Sequence, residues 1–266
     1  MLTFSHFSID VAQYAWFKKR RWTPLLQDIN LTLNPGELVA LVGGSGEGKS
    51  LLLQSVLGLL PHNMRTRGTL SYQGEQLDSR AQQALRGKVC CYLPQGVSAF
   101  NPLIRVGLQL QRAASLSGAE IDRRTIADKL RQYHLADNVI NAYPSALSGG
   151  MAKRVLACNA AFSHAQIILA DELTSWLDDE HAHQLLHQFQ TLCSEGKSVL
   201  WVTHDLSLAA HHADRIAMLH QGTIAEITSP QALEQQQVGP WLKQLWQALP
   251  EQRFIDYPQG EAHGRV

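Results

Sequence analysis

The chain has 266 residues, of which 45% are hydrophobic, so it can bury the core of one large domain without disulfides or structural metals. Lys and Arg total 23 and Asp and Glu also total 23, which excludes attachment to nucleic acid through an overall basic charge. None of the four cysteines has C-x-x-C spacing, which argues against a zinc or redox motif and favours a reducing cytosol.

The amino-terminal part of the sequence predicts three strands and a helix. Alternating apolar residues indicate strands over Leu2–Ile9 and Leu25–Leu33, and a short apolar run indicates a buried strand over Leu38–Val42. A glycine-rich segment follows the third strand, and we expect a helix over Lys49–Leu60 that ends before Pro61. A strand, a glycine loop and a helix in this order form the context that a phosphate-binding loop requires.

The middle of the chain changes to polar and small residues, and we expect residues 98–146 to be mostly helical. Helices and strands then alternate, which implies a parallel sheet with helices on both faces. The predicted elements here are a helix over Val155–Ala161, a strand over Ile167–Ala170, a helix over His181–Leu192 and a strand over Ser198–Val202.

The last part of the chain predicts one strand pair and a loose tail. Asp214–Leu219 and Thr223–Ile227 are expected to pair through a turn at Gly222. From Ser229 onward the sequence is rich in Gln and ends in Pro, Gly and charged residues, so we expect it to fray. No window holds the ~18 consecutive apolar residues of a membrane-spanning helix, and we expect no secretion signal.

Residues 43–50 fit the phosphate-loop pattern G-x-x-x-x-G-K-[ST]. Its glycines let the backbone curl, so that N–H groups and the positive end of the next helix face the phosphates of ATP. We expect Lys49 to contact the β- and γ-phosphates and the Ser50 hydroxyl to bind Mg²⁺. The candidate nucleotide contacts are Gly43, Gly44, Ser45, Gly46, Glu47, Gly48, Lys49, Ser50 and Leu51.

An acidic pair, Asp171 and Glu172, ends the predicted strand Ile167–Ala170. A carboxylate at the end of a buried strand needs a partner, and Mg²⁺ would supply one for Asp171. Glu172 is suited to polarise the water that attacks the γ-phosphate, as a general base. The alternative is a solvated acidic pair, which the neighbouring phosphate loop makes the weaker interpretation.

A third motif, Ser148-Gly149-Gly150, is expected to start a helix. The hydroxyl and the bare backbone N–H groups of such a helix start can meet a phosphate. An ordinary helix cap is the alternative interpretation.

The order of these three motifs resembles that of the ATP-binding-cassette (ABC) ATPases. The resemblance implies an α/β fold, with a P-loop NTPase core of parallel strands flanked by helices, an N-terminal antiparallel β subdomain and an inserted α-helical subdomain. It also implies a single ABC ATPase domain over residues 1–266. We expect its core at 1–96 and 156–228, its helical signature subdomain at 97–155 and its C-terminal tail at 229–266.

The same resemblance assigns roles to further residues. Gln95 matches the loop that senses Mg²⁺ and joins the core to the helical insert. Asp178 lies in the segment that matches the D-loop, which contacts a partner cassette, and His204 matches the switch histidine that contacts the γ-phosphate. Lys49, Glu172 and His204 are therefore the expected catalytic residues, and Ser50, Gln95 and Asp171 the expected metal-binding residues.

Two parts of the resemblance are imperfect. The D-loop usually has Pro at the position of Leu173 and a small residue near Trp176, so its geometry is expected to differ here. Tyr14 is the expected adenine-stacking aromatic, with Trp16 and Phe17 as alternatives.

Segments 43–51, 98–103 and 143–151 are similar to the peptide/nickel importer branch of the family. Segment 98–103 and Met151 most resemble its nickel-import ATP-binding subunits. Membership of this branch implies ATP hydrolysis that drives import of nickel, a metal chelate or a short peptide. It implies a second ABC ATPase subunit (a copy or a relative), two membrane permease subunits and an extracytoplasmic solute-binding protein, and a peripheral location on the cytoplasmic face of the inner membrane. An oligopeptide or dipeptide importer is the alternative. A cassette acting on nucleic acid is less favoured, because the net charge is zero and we expect no nucleic-acid partner.

Overall fold

The computed structural model describes residues 1–13, 21–96, 99–116 and 118–249. Its strands in that part of the chain are β1 (Leu2–Gln13), β2 (Arg21–Leu33), β3 (Leu38–Gly43), β4 (Met64–Tyr72), β5 (Glu75–Gln76), β6 (Cys90–Leu93), β7 (Ile167–Asp171), β8 (Ser198–Thr203), β9 (Arg215–His220) and β10 (Thr223–Thr228). Its α-helices are α1 (Lys49–Val56), α2 (Ser79–Leu85), α3 (Val106–Leu116), α4 (Arg123–Gln132), α5 (Gly149–Phe162), α6 (Asp179–Ser194), α7 (Leu206–His212), α8 (Pro230–Glu234) and α9 (Pro240–Gln247).

The strands form two sheets. The N-terminal sheet has the order β2-β1-β4-β5 and is antiparallel, with Leu2 opposite Leu33 on one side and opposite Tyr72 on the other. The second sheet has the order β10-β9-β3-β8-β7-β6. Its strands are parallel except for β10, which pairs antiparallel with β9.

The central strands of the six-stranded sheet are buried on both faces, as the alternation of helices and strands predicts. Leu38, Ala40 and Val42 of β3 belong to the hydrophobic cluster that includes the helical insert. Val39 and Leu41 belong to the cluster shared with the N-terminal antiparallel sheet and α1. Because successive strand residues point to opposite faces, one short strand supplies both cores.

Helix α1 ends four residues before the predicted position, at Val56 instead of Leu60. Gly58 has a φ of 61°, a left-handed conformation that glycine adopts without steric cost. The N–H of Gly58 donates to the carbonyl of Ser55 at 3.2 Å, and the N–H of Leu59 donates to that of Gln54 at 3.0 Å. This pair of bonds is a Schellman motif, which closes the helix ahead of the proline.

The prediction that the tail frays from Ser229 onward is wrong for residues 229–249. Ser229 caps α8 by accepting a hydrogen bond from the N–H of Ala232 at 3.2 Å. Leu233 of α8 and the side chains of Leu242 and Trp246 of α9 are buried in the larger hydrophobic cluster. The polar glutamines between them hid these apolar positions from a composition-based interpretation.

Helix α5 begins at Gly149, six residues before the helix predicted from Val155, so the signature motif lies on the same helix as the core residues that follow it. The expected helical insert is present as α3, α4 and the first part of α5. Among the described residues, no helix has the length and apolar content needed to cross a bilayer. The strands β3, β7 and β8 run parallel, so their carboxyl ends, and the loops that follow them, lie on one edge of the sheet.

Candidate active site

The phosphate loop connects β3 to α1 and depends on glycine at two kinds of position. Gly48 has a φ of 94° at the start of α1, a left-handed conformation that a side chain would strain. Gly43 lies at the end of β3, where a Cβ atom would lie 2.6 Å from the carbonyl oxygen of Leu219 and would clash. The loop can therefore turn sharply against a neighbouring strand, as close backbone approach to phosphate requires.

The Lys49 side chain is buried beneath this loop. Its Nζ donates hydrogen bonds to the carbonyl oxygens of Gly43 at 2.8 Å and Gly44 at 2.7 Å. Burial lowers the pKa of Lys49, while the nearby carboxylates of Glu172, Glu47 and Asp171 act in the opposite direction. The ammonium is thus held at the loop in a field of acidic groups, where it can meet phosphate oxygens.

Ser50 and Asp171 meet across the gap between α1 and β7. Ser50 Oγ donates to Asp171 Oδ1 at 2.8 Å, and the hydroxyl of Tyr92 donates to Asp171 Oδ2 at 3.0 Å. Burial raises the pKa of Asp171, an effect that the two hydroxyl donors oppose. Burial also raises the pKa of Tyr92, to about 12. A hydroxyl and a carboxylate are hard oxygen donors of the kind that Mg²⁺ prefers, so this pair fits the expected metal.

Glu172 follows β7 with a φ of 47°. Its Oε2 accepts a hydrogen bond from Gln95 Nε2 at 2.6 Å, and its Oε1 lies 3.9 Å from Lys49 Nζ. Its backbone N–H donates to the carbonyl of Val202 in β8 at 3.0 Å. The carboxylate is therefore oriented by an amide and a cation next to the phosphate loop.

The signature residues lie at the start of α5, a helix of 14 residues. Ser148 caps it, with Oγ accepting from the N–H of Met151 at 3.2 Å, and Ser148 and Gly149 are exposed. A Cβ atom on Gly150 would lie 3.1 Å from Leu177 Cδ2, so the helix start packs against the segment predicted as the D-loop. Its exposed backbone N–H groups can receive an anion from outside the chain.

Asp178 and His204 lie at the start of α6 and just after β8. Asp178 caps α6 by accepting from the N–H of His181 at 3.0 Å, and this backbone donor lowers the pKa of Asp178. His204 is exposed just after β8. Tyr14, Trp16 and Phe17 lie outside the described residues.

The structure therefore brings Lys49, Ser50, Gln95, Asp171 and Glu172 together in one place. The roles assigned to these five residues stay predictions, as do those of the other phosphate-loop residues, of Ser148–Gly150, Asp178 and His204.

Two residues of this region were missed by sequence reasoning. Tyr92 lies on β6, the edge strand that pairs with β7, and its hydroxyl reaches Asp171. Lys153 is buried on α5, and its Nζ donates to the carbonyl of Glu172 at 3.1 Å. Neither residue carries a clear sequence signal: Lys153 is followed directly by Arg154, and charged residues of this kind normally lie on an exposed helix face.

Comparison with known proteins places these residues in a family. The family model for ABC transporters matches residues 26–175. A Brucella melitensis protein named for ATP binding in peptide import is 31% identical over 242 residues, which cover 86% of this chain and 73% of that protein. The ATP-binding protein of the metal-staphylopine import system of Staphylococcus aureus is 31% identical over 218 residues, covering 77% of this chain and 80% of that protein.

Solved structures agree in fold. A bacterial ABC transporter cassette solved as a dimer superimposes with a TM-score of 0.73 at 24% identity, over 86% of this chain and 99% of that one. An ATP-binding subunit of an ABC transporter gives a TM-score of 0.73 at 23% identity, over 96% of this chain and 98% of that one. The α/β class, the antiparallel N-terminal sheet and the helical insert are confirmed. This chain belongs to the ABC transporter family, as a cassette that hydrolyses ATP.

Proposed function

We propose that this chain is the ATP-hydrolysing subunit of an importer whose solute is a short peptide or a metal chelate. The observation that carries the proposal is that two relatives, each 31% identical over most of the cassette, are named for peptide import and for metal-staphylopine import. The nickel ion itself remains a prediction from the similarity of segment 98–103 and Met151 to nickel-import subunits. Lys49, Asp171 and Glu172 stand in contact with their expected neighbours, which supports turnover.

In this proposal different groups of the chain bind the phosphates, hold Mg²⁺ and activate the attacking water. The backbone of residues 43–50 and the Lys49 ammonium bind the phosphates, and Ser50 Oγ with the Asp171 carboxylate would hold Mg²⁺. When bound, Mg²⁺ supplies charge neutralisation on the phosphate oxygens. Glu172 orients the attacking water and accepts its proton, and the Gln95 amide keeps that carboxylate in place at 2.6 Å. General-base assistance of this kind contributes roughly 10²- to 10⁴-fold in rate.

The proposal includes a second cassette. The start of α5 is exposed and capped by Ser148, so it can donate N–H groups to the phosphate of a nucleotide held by another subunit. A structural relative was solved as a dimer, which supports this arrangement. Head-to-tail pairing would then complete each pocket with Ser148–Gly150 of the partner.

The division of the chain follows from the same proposal. Residues 1–96 and 156–228 would form the nucleotide-binding core and residues 97–155 the signature subdomain. Helix α5 continues across position 155, so it would connect the two mechanically. The cassette would lie at the cytoplasmic face of the membrane through contact with its permease subunits.

The surface that meets the membrane subunits is proposed to lie after Gln95. Phe100 is only 9% exposed and packs in the larger hydrophobic cluster, so it cannot itself present a contact surface. Leu103, by contrast, is 83% exposed, three residues farther along the same segment. An apolar side chain that is this exposed, next to a segment linked to Glu172 through Gln95, suits a coupling contact.

Replacing Leu103 by Asp tests the proposed coupling. We expect the basal ATPase rate of the purified chain to stay within about twofold, because Leu103 lies outside the phosphate loop and an exposed site tolerates charge. Stimulation by the membrane subunits should fall at least about tenfold, since a charge in a buried apolar contact costs several kcal/mol. The measurement is the ATPase rate with and without permease subunits in proteoliposomes.

Leu116→Asp is the matched control, because Leu116 is also exposed but lies at the far end of α3. It should keep full stimulation. Normal stimulation of the Leu103 variant would remove this segment from the coupling surface.

A further inference from the structure

A buried lysine, Lys153, contacts the backbone that carries the Glu172 carboxylate. It lies on α5 and is only 4% exposed. Its Nζ donates to the carbonyl oxygen of Glu172 at 3.1 Å and also to that of Ser175. These two carbonyls begin and end one tight turn, in which the N–H of Ser175 donates to the Glu172 carbonyl at 3.3 Å. One ammonium therefore spans the whole turn.

The segment held by Lys153 has an uncommon backbone conformation. Glu172 has a φ of 47° and Trp176 a φ of 66°, both in the left-handed region that residues with side chains seldom occupy. Such conformations persist only where the surrounding structure fixes them. The N–H of Glu172 is bonded to Val202 on one side, and Lys153 supplies the fixing contacts on the other.

The negative charge of the Glu172 carboxylate also acts on the Lys153 ammonium. Burial lowers the pKa of Lys153, and the negative charge of Glu172 opposes this shift. In addition, Ser148 caps α5, so the helix that carries the signature motif is the one that holds the turn.

We propose that Lys153 is a positioning residue for ATP hydrolysis, whose ammonium fixes the turn over residues 172–175 and thereby aims the Glu172 carboxylate at the attacking water. The inference rests on the proposed role of Glu172 as the general base. Lys153 would touch neither nucleotide nor water, and its effect would appear in the rate of the chemical step.

The chain contains a matched control in Lys197. Its Nζ also donates to two backbone carbonyls, those of Ala160 at 3.3 Å and Ser163. Burial lowers the pKa of Lys197 as well. Lys197 precedes β8, at the opposite end of the parallel strands from Glu172. Removal of either ammonium takes one donor away from each of two carbonyls, but only one of these pairs belongs to the turn that follows β7.

The test compares Lys153→Met with Lys197→Met in the full chain, by steady-state ATPase kinetics and thermal unfolding. We expect both variants to unfold at a lower temperature than the wild type. Lys153→Met should lower kcat roughly 10- to 100-fold with KM for ATP within about twofold, since a small misplacement of a catalytic group has effects of this size. Lys197→Met should keep the wild-type kcat. A wild-type kcat for Lys153→Met, or equal kcat losses in both variants, overturns the inference.

Lys153→Gln is a second variant that tests the inference if Lys153→Met does not fold. Its amide keeps an N–H donor on a shorter side chain without the charge, so we expect a loss of roughly three- to tenfold in kcat. A wild-type kcat in this variant overturns the inference even if Lys153→Met does not fold.

Glu172→Gln separates failure of this inference from failure of the proposed function. It should bind ATP and not turn over, and rapid turnover would remove Glu172 as the base whatever the lysine variants do. Where Glu172→Gln is slow, adding Lys153→Met should lower the residual rate less than about twofold, because residues that act as one unit are not additive. A full multiplicative loss in the double variant would show that Lys153 does not act through Glu172.

Discussion

Burial of the Asp171 carboxylate lowers the stability of the folded chain, although the same position is expected to bind Mg²⁺. Its pKa is raised, chiefly by burial, above the ordinary value of 3.8. The folded chain therefore holds this proton at pH values at which the unfolded chain has already released it. As pH rises from 3.8 through the raised pKa, the free energy of unfolding falls, and above that pKa the whole loss persists. The ligand-free protein bears this loss at neutral pH.

Asp171→Asn should accordingly stabilise the ligand-free protein while abolishing its activity. The amide removes the buried charge, so we expect a gain of about 1 kcal/mol, or a rise of roughly 2–4 °C in the melting temperature at pH 7.5. The gain should shrink as the pH is lowered from 7.5 through the raised pKa of Asp171, because the wild-type carboxyl then takes up its proton. Mg²⁺-dependent ATPase should fall by about 100-fold or more, because an expected metal ligand is lost. Melting curves over this pH range and a steady-state assay measure both effects.

Asp10 provides a control of opposite sign. It is also buried, but a hydrogen bond from Arg67 is the main reason that its pKa is lowered. Its charged form stabilises the fold above pH 3.8, so Asp10→Asn should lower the melting temperature at pH 7.5. A melting temperature that falls in both variants would contradict the account of Asp171.

Single residues of the site were predictable where a motif fixes their chemistry by spacing along the chain. Lys49 and Ser50 follow from the phosphate-loop pattern, and Asp171 follows from an apolar strand that ends in acid. Tyr92 was not predictable, because its contact with Asp171 depends on β6 pairing with β7, which are separated by more than seventy residues. A contact made across a sheet leaves no local pattern.

At the scale of whole elements, the N-terminal caps of two helices contribute to stability, and one of them is also expected to contribute to activity. Ser148 caps α5 and Ser229 caps α8, and each hydroxyl accepts from the backbone N–H three residues later at 3.2 Å. Loss of such a cap costs about 1 kcal/mol in either helix. The two caps are thus similar in energy but differ in what their helix starts face.

Ser148→Ala and Ser229→Ala should therefore diverge in activity. We expect each to lower the free energy of unfolding by about 1 kcal/mol, measured by urea denaturation. Only Ser148→Ala should lose ATPase activity, by roughly 10-fold or more, because its hydroxyl is proposed to meet the nucleotide of the partner cassette. Equal ATPase rates in the two variants would leave Ser148 as a structural cap alone.

At this scale the sequence predicted the parallel strands β3, β7, β8 and β9 but not β6, and it missed several elements around them. The predicted strands over 38–42, 167–170 and 198–202 each extend by one residue in the structure, because continuous apolar runs mark buried strands clearly. Strand β4 and helix α2 were not predicted, since each contains a single buried residue and neither has an apolar period. Helix α9 was missed because two buried residues, Leu242 and Trp246, hold it to the core.

In the whole molecule, the segments with predicted catalytic roles lie at one edge of the six-stranded sheet. The phosphate loop follows β3, the acidic pair ends β7 and His204 follows β8, so all three leave the carboxyl ends of parallel strands. This much follows from the order of strands and motifs. The sequence of one chain does not identify the group that approaches this edge from another subunit. An exposed helix start such as Ser148–Gly150 has the same local pattern whether it binds a partner's nucleotide or water.

Mixing two inactive variants tests whether the chain completes its own pocket by pairing with a second copy. Lys49→Ala removes the phosphate-loop cation, and Ser148→Ala removes the signature hydroxyl. In a head-to-tail pair of one variant with the other, one pocket combines an intact Lys49 with an intact Ser148, while the other pocket carries both changes. Random pairing makes half of the pairs mixed, so about a quarter of all pockets should be intact in a symmetric dimer.

We therefore expect an equimolar mixture to recover about a quarter of the wild-type ATPase rate, and dilution of the mixture to lower this recovery as pairs dissociate. Mixing Lys49→Ala with the double variant that carries both changes is the control, because no pairing of these chains restores an intact pocket. Recovery in the control would mean that the regained rate does not come from an intact pocket, and the mixing result could then not be credited to pairing. Absence of recovery in the test mixture would contradict the proposal that two copies of this chain complete each other's pockets. Activity that returns only when a related cassette is added would then identify that cassette as the partner.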